Sequence, residues 1–484
     1  MLGYQQNYGP QTGQYNNIKT TLTPAINAKV SAESSFKDYC LYQNSFSGHG
    51  GEAYQWTGIY WKRLASPQQR TGLERIAAKY LESNFPDKAG NDLACKASKY
   101  SILLLPELPE KPRAHIIPLR NGWLEIEKDG TIREAKPDKN LGITYVIKAD
   151  LMPQQGIYQP SPLPANSLFR KFLETSLPAP QIRELLQEYC GYTLLNGVHL
   201  QKAQIWVGNG SNGKSVLLKI LTALHEKSAS IRLDKLEGFA LTQLVGASLA
   251  ISAETPRGNI NEEVLKAVIT GDPITVEPKH KPEFTYSPTA KWIIACNEFP
   301  RIGDKSNGVW RRVQIIEWNV EITESQSIHN LEEQIIEKEL RLVLDWCLEG
   351  AQRLLMRGKF NEPESIKAAN DRKRHENNNV AMFSDETHLT LASGNEYLIK
   401  DDLYTMYREY CSASGYSAHN KDNFFKQLYS LFKGINKEMK KSVKGKWIRV
   451  VPLHYKEEPA PLSAEEKHNE QLELERDIKS FGWM

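Results

Sequence analysis

Paired cysteines are missing from this chain of 484 residues. Six cysteines occur, at Cys40, Cys95, Cys190, Cys296, Cys347 and Cys411, with no Cys-x-x-Cys spacing and no neighbouring histidine cluster. That pattern excludes a zinc ribbon or a disulfide framework and fits free thiols in a reducing compartment. No run of 18 apolar residues exists, so no membrane-spanning helix is expected. The first residues carry no signal-peptide core, and the expected location is the cytoplasm. Charge of one sign is also missing. Lys and Arg total 61 against 58 Asp and Glu, a net +3, so the global balance names no partner and local charge has to be read instead.

The chain has one strong local signal. Ile205-Trp206-Val207 leads into Gly208-Asn209-Gly210-Ser211-Asn212-Gly213-Lys214-Ser215, then into an apolar run from Val216 to Leu224. Strand, glycine-rich loop and helix in that order form the G-x-x-x-x-G-K-[ST] phosphate loop. Gly208, Gly210 and Gly213 allow φ > 0 and leave no Cβ where the backbone must wrap phosphate oxygens. Backbone N–H groups and the helix N-terminus, including that of Val216, then face the anion. Lys214 reaches the outer phosphates and the Ser215 hydroxyl binds Mg²⁺. ATP with Mg²⁺ is the expected ligand.

Phosphoryl transfer also needs an acid, a neutral sensor and a cation. The run Ser248-Leu-Ala-Ile-Ser-Ala-Glu254 puts Glu254 at the end of an apolar strand, about 40 residues after Lys214. A carboxylate there orients water and shares the metal. Lys291 to Cys296 is a second apolar strand followed by Asn297, and Trp310-Arg311-Arg312 precedes a third. Between them, Pro278 and Pro282 bracket Lys279, His280 and Lys281, which suits an exposed hairpin tip more than a central strand.

The rest of the chain sorts by composition. Residues 1–32 are polar and read as a disordered arm. Residues 33–150 read as an N-terminal α/β domain, with helical spacing from Leu73 to Phe85 and a hairpin turning at Asp129-Gly130. Trp56, Tyr60, Trp61 and Trp123 in it fit a core better than a base-stacking surface. Residues 151–200 form a linker containing Pro153, Pro160, Pro162 and Pro164, then two helices broken at Pro178 and Pro180. The ATPase domain spans 201–358 and a charged helical connector 359–379. Residues 380–453 read as helix, helix and basic hairpin, a winged helix. From Asn420 to Val450 nine Lys/Arg face two Asp/Glu, a phosphate-attracting surplus to which Lys440, Lys441, Lys444 and Lys446 contribute. Residues 454–484 are an acidic tail.

In order, GNGSNGKS, SLAISAE, KAVITGDPITVEPKHKPEF, KWIIACNEFP and WRRV make the chain resemble superfamily 3 helicases of the phage/plasmid primase-helicase group, which includes the poxvirus primase-helicase. The resemblance covers roughly residues 45–453. It implies an α/β fold: a P-loop AAA+-type ATPase core with an N-terminal α/β domain, a helical segment and a C-terminal winged helix. It also implies a hexameric ring that hydrolyses ATP and unwinds DNA 3′ to 5′ for a phage, plasmid or other mobile element. A single strand would lie in the channel and duplex at the winged helix, with a separate primase or initiator as partner. On this resemblance Lys214 and Ser215 are Walker A contacts, Glu254 the Walker B acid and Asn297 the sensor. Arg312, or else Arg311, is the finger acting on a neighbouring subunit, and Lys279 with His280 is the DNA grip. Ser252 and Ala253 stand where many relatives carry a second acid, and no primase segment is expected. Two other readings keep the ATPase: an origin-melting initiator or loader, and a DNA-binding regulator switched by ATP.

Overall fold

The computed structural model describes residues 30–455 except 65–71, 110–114, 153–155, 255, 257–259, 280–281, 301, 303–307, 436–438 and 444. Nearly all of the expected arm and of the acidic tail, and His280, Lys281 and Lys444, therefore lie outside the described residues. Two compact units divide the chain, residues 1–370 and 371–484.

The first unit begins with α1 (Ala32–Gln43) and an antiparallel sheet of β1 (Phe46–His49), β2 (Glu52–Trp56) and β3 (Trp61–Arg63). Helices α2 (Gly72–Asn84) and α3 (Asn91–Ile102) pack on α1 around Phe36, Leu73, Ala77 and Leu81. A second antiparallel sheet follows: β4 (Ile116–Leu119), β5 (Gly122–Ile126) and β6 (Ile132–Ala135). Trp61 and Trp123 are buried, and their indole N–H groups donate to the carbonyls of Lys139 and Ile59, so both belong to the core.

Helices α4 (Leu168–Ser176) and α5 (Pro180–Leu194) come next, with the break at Pro178 and Pro180. A proline at the first helical position removes an N–H that has no partner there anyway, so Pro180 starts α5 cleanly. Helix α8 (Leu331–Arg357) lies against α5 at backbone contact. A Cβ added to Gly350 would stand 2.1 Å from the Gln187 carbonyl oxygen, and one on Gly191 2.3 Å from that of Cys347. Neither neighbour is a side chain able to rotate away. Gly350→Ala is therefore expected to destabilise the first unit by about 1–3 kcal/mol through overpacking. A lowered melting temperature in calorimetry checks it; an unchanged one would mean the helices separate at little cost.

The centre of the unit is a five-stranded parallel sheet. Its strands are β7 (Ala203–Val207), β8 (Ser228–Ser230), β9 (Leu249–Ser252), β12 (Lys291–Cys296) and β13 (Val313–Glu317), in spatial order β13-β7-β12-β9-β8. Alternate residues feed two cores. Trp206, Leu249, Ile251, Ile293, Ala295 and Ile316 join α5, α8 and α6 (Lys214–Leu224), together with the β4–β6 sheet. Ile205, Ala250, Trp292, Ile294, Val313 and Ile315 join α7 (Glu262–Thr270) on the other side. Burial on both faces explains why these strands read as continuous apolar runs. Strand β8 is Ser-Ala-Ser, which no apolar pattern announces. An antiparallel hairpin, β10 (Ile274–Val276) with β11 (Phe284–Tyr286), leaves the chain between β9 and β12.

Helix α9 (Glu364–Glu376) contains the boundary at 370/371, and the second unit goes on with α10 (Asn379–Glu386), α11 (Lys400–Ala413) and α12 (Lys421–Leu431). Tyr407 and Phe424 stack with ring centroids 4.3 Å apart in its core. Its strands are β14 (Leu389–Leu391) paired with β18 (Leu453–Tyr455), and a sheet in the order β15 (Leu398–Ile399), β17 (Lys446–Val451), β16 (Lys440–Val443). No described helix of the protein is long and apolar enough to cross a membrane.

Candidate functional site

A parallel sheet sends all its strand ends the same way, and ligands of such sheets lie beyond the carboxyl ends. Four segments meet at that edge here. Residues 208–213 follow β7, Glu254 lies two residues beyond β9, Asn297 follows β12, and Trp318 follows β13. Val207 pairs with Cys296, so Gly208 and Asn297 leave adjacent strands side by side, and the Gly208 N–H donates to the Cys296 carbonyl at 3.3 Å. Ser252 pairs with Ile294, which puts Glu254 on the far side of Asn297 from the loop.

The loop's three glycines differ. Gly213 has φ 91° and starts α6 without any side-chain cap. A Cβ there would meet the Ser176 hydroxyl at 2.5 Å and the Phe172 ring at 2.8 Å, so α4 braces the turn. Gly208 is needed for close approach instead, because its Cβ would stand 2.3 Å from the Trp318 carbonyl oxygen. Gly210 meets neither demand. It has open space around it and no positive φ, whereas Ser211 takes φ 50°. Of the three, Gly213 alone uses its freedom to take φ > 0, with Ser211 the loop's other left-handed residue.

Lys214 is buried, 6% exposed, and turned back into the loop. Its ammonium donates to the Gly208 carbonyl at 2.6 Å and to Asn212 Oδ1 at 3.0 Å. Asn212, equally buried, donates in turn to the Trp318 carbonyl at 3.1 Å. Among the described residues no carboxylate pairs with Lys214, and burial pushes its pKa below the usual lysine range. A desolvated cation held by neutral oxygens, beside an uncapped helix start, is a site short of negative charge. The central role of Asn212 in orienting Lys214 is not readable from the motif, where that position is free to vary.

The other candidates stand as follows. Ser215 and Asn297 are exposed, and Val216 is half-buried. Glu254 is 67% exposed and forms a 3.4 Å ion pair with Arg232, whose guanidinium also grips Asp234 at 2.7 and 3.0 Å. The Arg232-Asp234 clamp on Glu254 is a feature that the sequence reading missed; Arg and Asp two apart after a short strand are the only trace of it. Arg311 and Arg312 do not join this group. They precede β13, whose first residue Val313 is level with Ala203. They therefore lie at the opposite edge of the sheet, with Arg312 donating to the Gly308 carbonyl at 2.5 Å. Lys279 is exposed beyond β10. In the second unit Lys440 and Lys446 are exposed on the β16–β17 hairpin, and Lys441 donates to the Asn395 carbonyl at 3.2 Å.

Comparison with known proteins matches residues 206–312 to a family of unknown function, DUF5906, and residues 375–458 to the family described as poxvirus D5 protein-like. These matches support the resemblance to D5-like superfamily 3 helicases over parts of the chain. An Acanthamoeba polyphaga mimivirus protein named "Putative helicase" is 29% identical over 164 residues, which is 30% of this chain and 16% of the relative. Similarly named proteins are 22% identical over 279 residues in invertebrate iridescent virus 3 (49% of this chain, 29% of the relative) and 30% over 148 residues in invertebrate iridescent virus 6 (27% and 15%). The chain thus spans less than a third of the length of these curated relatives. Among solved structures, the apo C-terminal region of NrS-1 is 14% identical, with 87% of this chain and 98% of that chain covered at a TM-score of 0.46. The first matched stretch runs from Trp206 to Arg312, so it takes in the phosphate loop, Glu254, Asn297 and both arginines. The D5-like match itself covers the second unit's helices and basic hairpin.

Proposed function

We propose that this chain is an ATP-hydrolysing motor that assembles as a ring, a hexamer, and unwinds DNA 3′ to 5′ for a mobile element. One observation carries the reading: Lys214, Glu254 and Asn297 follow the carboxyl ends of three strands in one parallel sheet, with Lys214 desolvated and lacking an anion. The residues fit a nucleoside triphosphate. Gly208 and Gly213 leave no room for a Cβ, Ser211 turns the loop, and the first N–H groups of α6 accept no side-chain cap. Lys214 would release the Gly208 carbonyl and Asn212 to engage phosphate oxygens. Glu254 would orient the attacking water and accept its proton, with Arg232 3.4 Å away to fix its position. Asn297 would hold that water without repelling the phosphate. Ser215 and Glu254 would hold Mg²⁺, which would supply neutralising charge. The described residues hold no cluster of three or more His, Cys, Asp or Glu that could bind a metal by itself.

DNA would meet the chain at two places. Lys279 is exposed between β10 and β11, and Lys279, His280 and Lys281 would together make a cationic grip suited to backbone contact without base readout. The second unit, read as a winged helix, would hold duplex through Lys440, Lys441, Lys444 and Lys446. Forked-DNA stimulation of ATP hydrolysis and strand displacement, measured on duplexes with 3′ or 5′ tails, tests the reading. Displacement from one tail polarity supports it. Hydrolysis without displacement favours the initiator or loader, and hydrolysis indifferent to DNA favours the regulator. Lys279→Ala is expected to leave basal hydrolysis near wild type and cut the DNA stimulation several-fold. Full stimulation in that variant would remove the hairpin from the DNA path.

A further inference from the structure

The β16–β17 hairpin of the second unit has two unlike faces. Side chains alternate along its strands, and the register pairs Lys440 with Arg449, Lys441 with Ile448 and Ser442 with Trp447. Ile448 is half-buried and Val450 fully buried on one face, where the Lys441 ammonium lies 4.8 Å from the Tyr397 ring centroid. The opposite face carries Lys440, Ser442, Trp447 and Arg449, and all four are exposed.

Two features of that outward face are unfavourable in the free protein. Trp447 is 74% exposed, the second most exposed large apolar side chain among the described residues, and no other ring stacks on it there. Beside it, Lys440 and Arg449 stand directly opposite each other, a like-charge cross-strand pair that destabilises a sheet. Among the described residues no carboxylate neutralises either cation. An indole left in water and two unneutralised cations, two register steps apart and so neighbours on one face, are both satisfied by one kind of partner. A nucleic-acid strand offers a flat base for the ring and a phosphate for the cations, whereas an apolar protein surface would strand the charges and an acidic one would leave the indole unused. Base stacking on aromatics tolerates any sequence, and arginine adds cation–π attraction. The hairpin edge suits the purpose, because β16 is the last strand of its sheet among the described residues.

We propose that Trp447, Lys440 and Arg449 form a stacking platform for an unpaired base at a DNA single-strand/duplex junction, with the neighbouring phosphate between the two cations. The proposal rests on the DNA-binding reading above and adds a contact to the base, which that reading does not contain. The test uses the full chain and forked DNA carrying 2-aminopurine as the first unpaired base. Wild-type protein should change its fluorescence. Trp447→Ala should remove that change and weaken fork binding roughly 5- to 150-fold, with an unchanged salt slope. Trp447→Phe should restore most of both. Lys440→Ala and Arg449→Ala should each lower the salt slope by about one and weaken fork and blunt duplex alike. Because these side chains are exposed, the variants should melt with the wild type. If the wild-type protein binds no DNA, both readings fall. If it binds and Trp447→Ala binds the fork as tightly with the same fluorescence, the platform alone is wrong.

Discussion

Lys214→Ala is expected to reduce ATP hydrolysis at least 10²–10³-fold, the rough cost of removing one preorganised charge donor from a developing anion. The structure supplies the reason for an effect of that size. Lys214 is buried with neutral oxygens only, so its charge is poorly solvated until phosphate arrives. Arginine should not substitute, because the ammonium sits within the loop between Gly208 and Asn212, where a forked guanidinium is too wide. Glu254→Gln should separate binding from chemistry: the nucleotide affinity stays within a few-fold and turnover nearly stops. Wild-type turnover in either Lys214→Ala or Glu254→Gln would sink the assignment of that residue.

The same lysine gives a pH prediction. Burial lowers its pKa in the free protein, and phosphate contact would raise it again. Between the lowered value and the raised one, free protein carries fewer protons than the complex. Nucleotide binding therefore takes up a proton in that window, and affinity weakens as the pH rises through it. Titration calorimetry in alkaline buffers of different ionisation heat reads the proton directly. The uptake should disappear in Lys214→Ala.

Much of this site was legible because local sequence and fold agree there. Four of the five sheet strands are apolar runs buried on both faces, and each reads as a strand from composition alone. The phosphate loop is a contiguous motif, so its place between β7 and α6 follows from the chain itself. What stayed hidden depends on residues far apart in sequence. Strand β8 has no apolar pattern and is held by pairing with β9. The Asn212–Trp318 contact joins positions whose proximity follows from the β13–β7 pairing. Gly208 is needed for its missing Cβ, and the group that imposes this, the Trp318 carbonyl, is not readable in the sequence. The backbone contact at Gly191 and Gly350 is invisible without the α5–α8 packing. Glu254 was read as a strand end; β9 stops at Ser252, and the acid stands free enough for Arg232 to reach it.

Arg312→Ala should assemble normally and lose hydrolysis roughly 10³–10⁵-fold, the range for an arginine finger. The sheet gives this prediction its direction. β13 and β7 are parallel and in register from Val313 opposite Ala203 to Glu317 opposite Val207. Arg312 precedes the first pair and the phosphate loop follows the last. Four residue steps at about 3.3 Å set them at least ~13 Å apart along the sheet, beyond the reach of one arginine side chain. Within one chain Arg312 therefore cannot touch nucleotide on its own loop. If it is the finger, it serves the loop of a neighbouring copy, and the functional unit is an interface. Mixing then decides the matter. Lys214→Ala and Arg312→Ala proteins are each inactive alone. In a mixed ring, an Arg312→Ala subunit keeps its phosphate loop and can sit beside a Lys214→Ala subunit that keeps its arginine. One class of interface is complete, so hydrolysis should return to a fraction of wild type set by the mixing ratio. Native mass spectrometry confirms that mixed assemblies form. If they form and no ratio restores turnover while Arg312→Ala remains inactive, the arginine is not a finger acting between subunits. The loss in the single variant would then come from the Arg312–Gly308 contact that holds the start of β13.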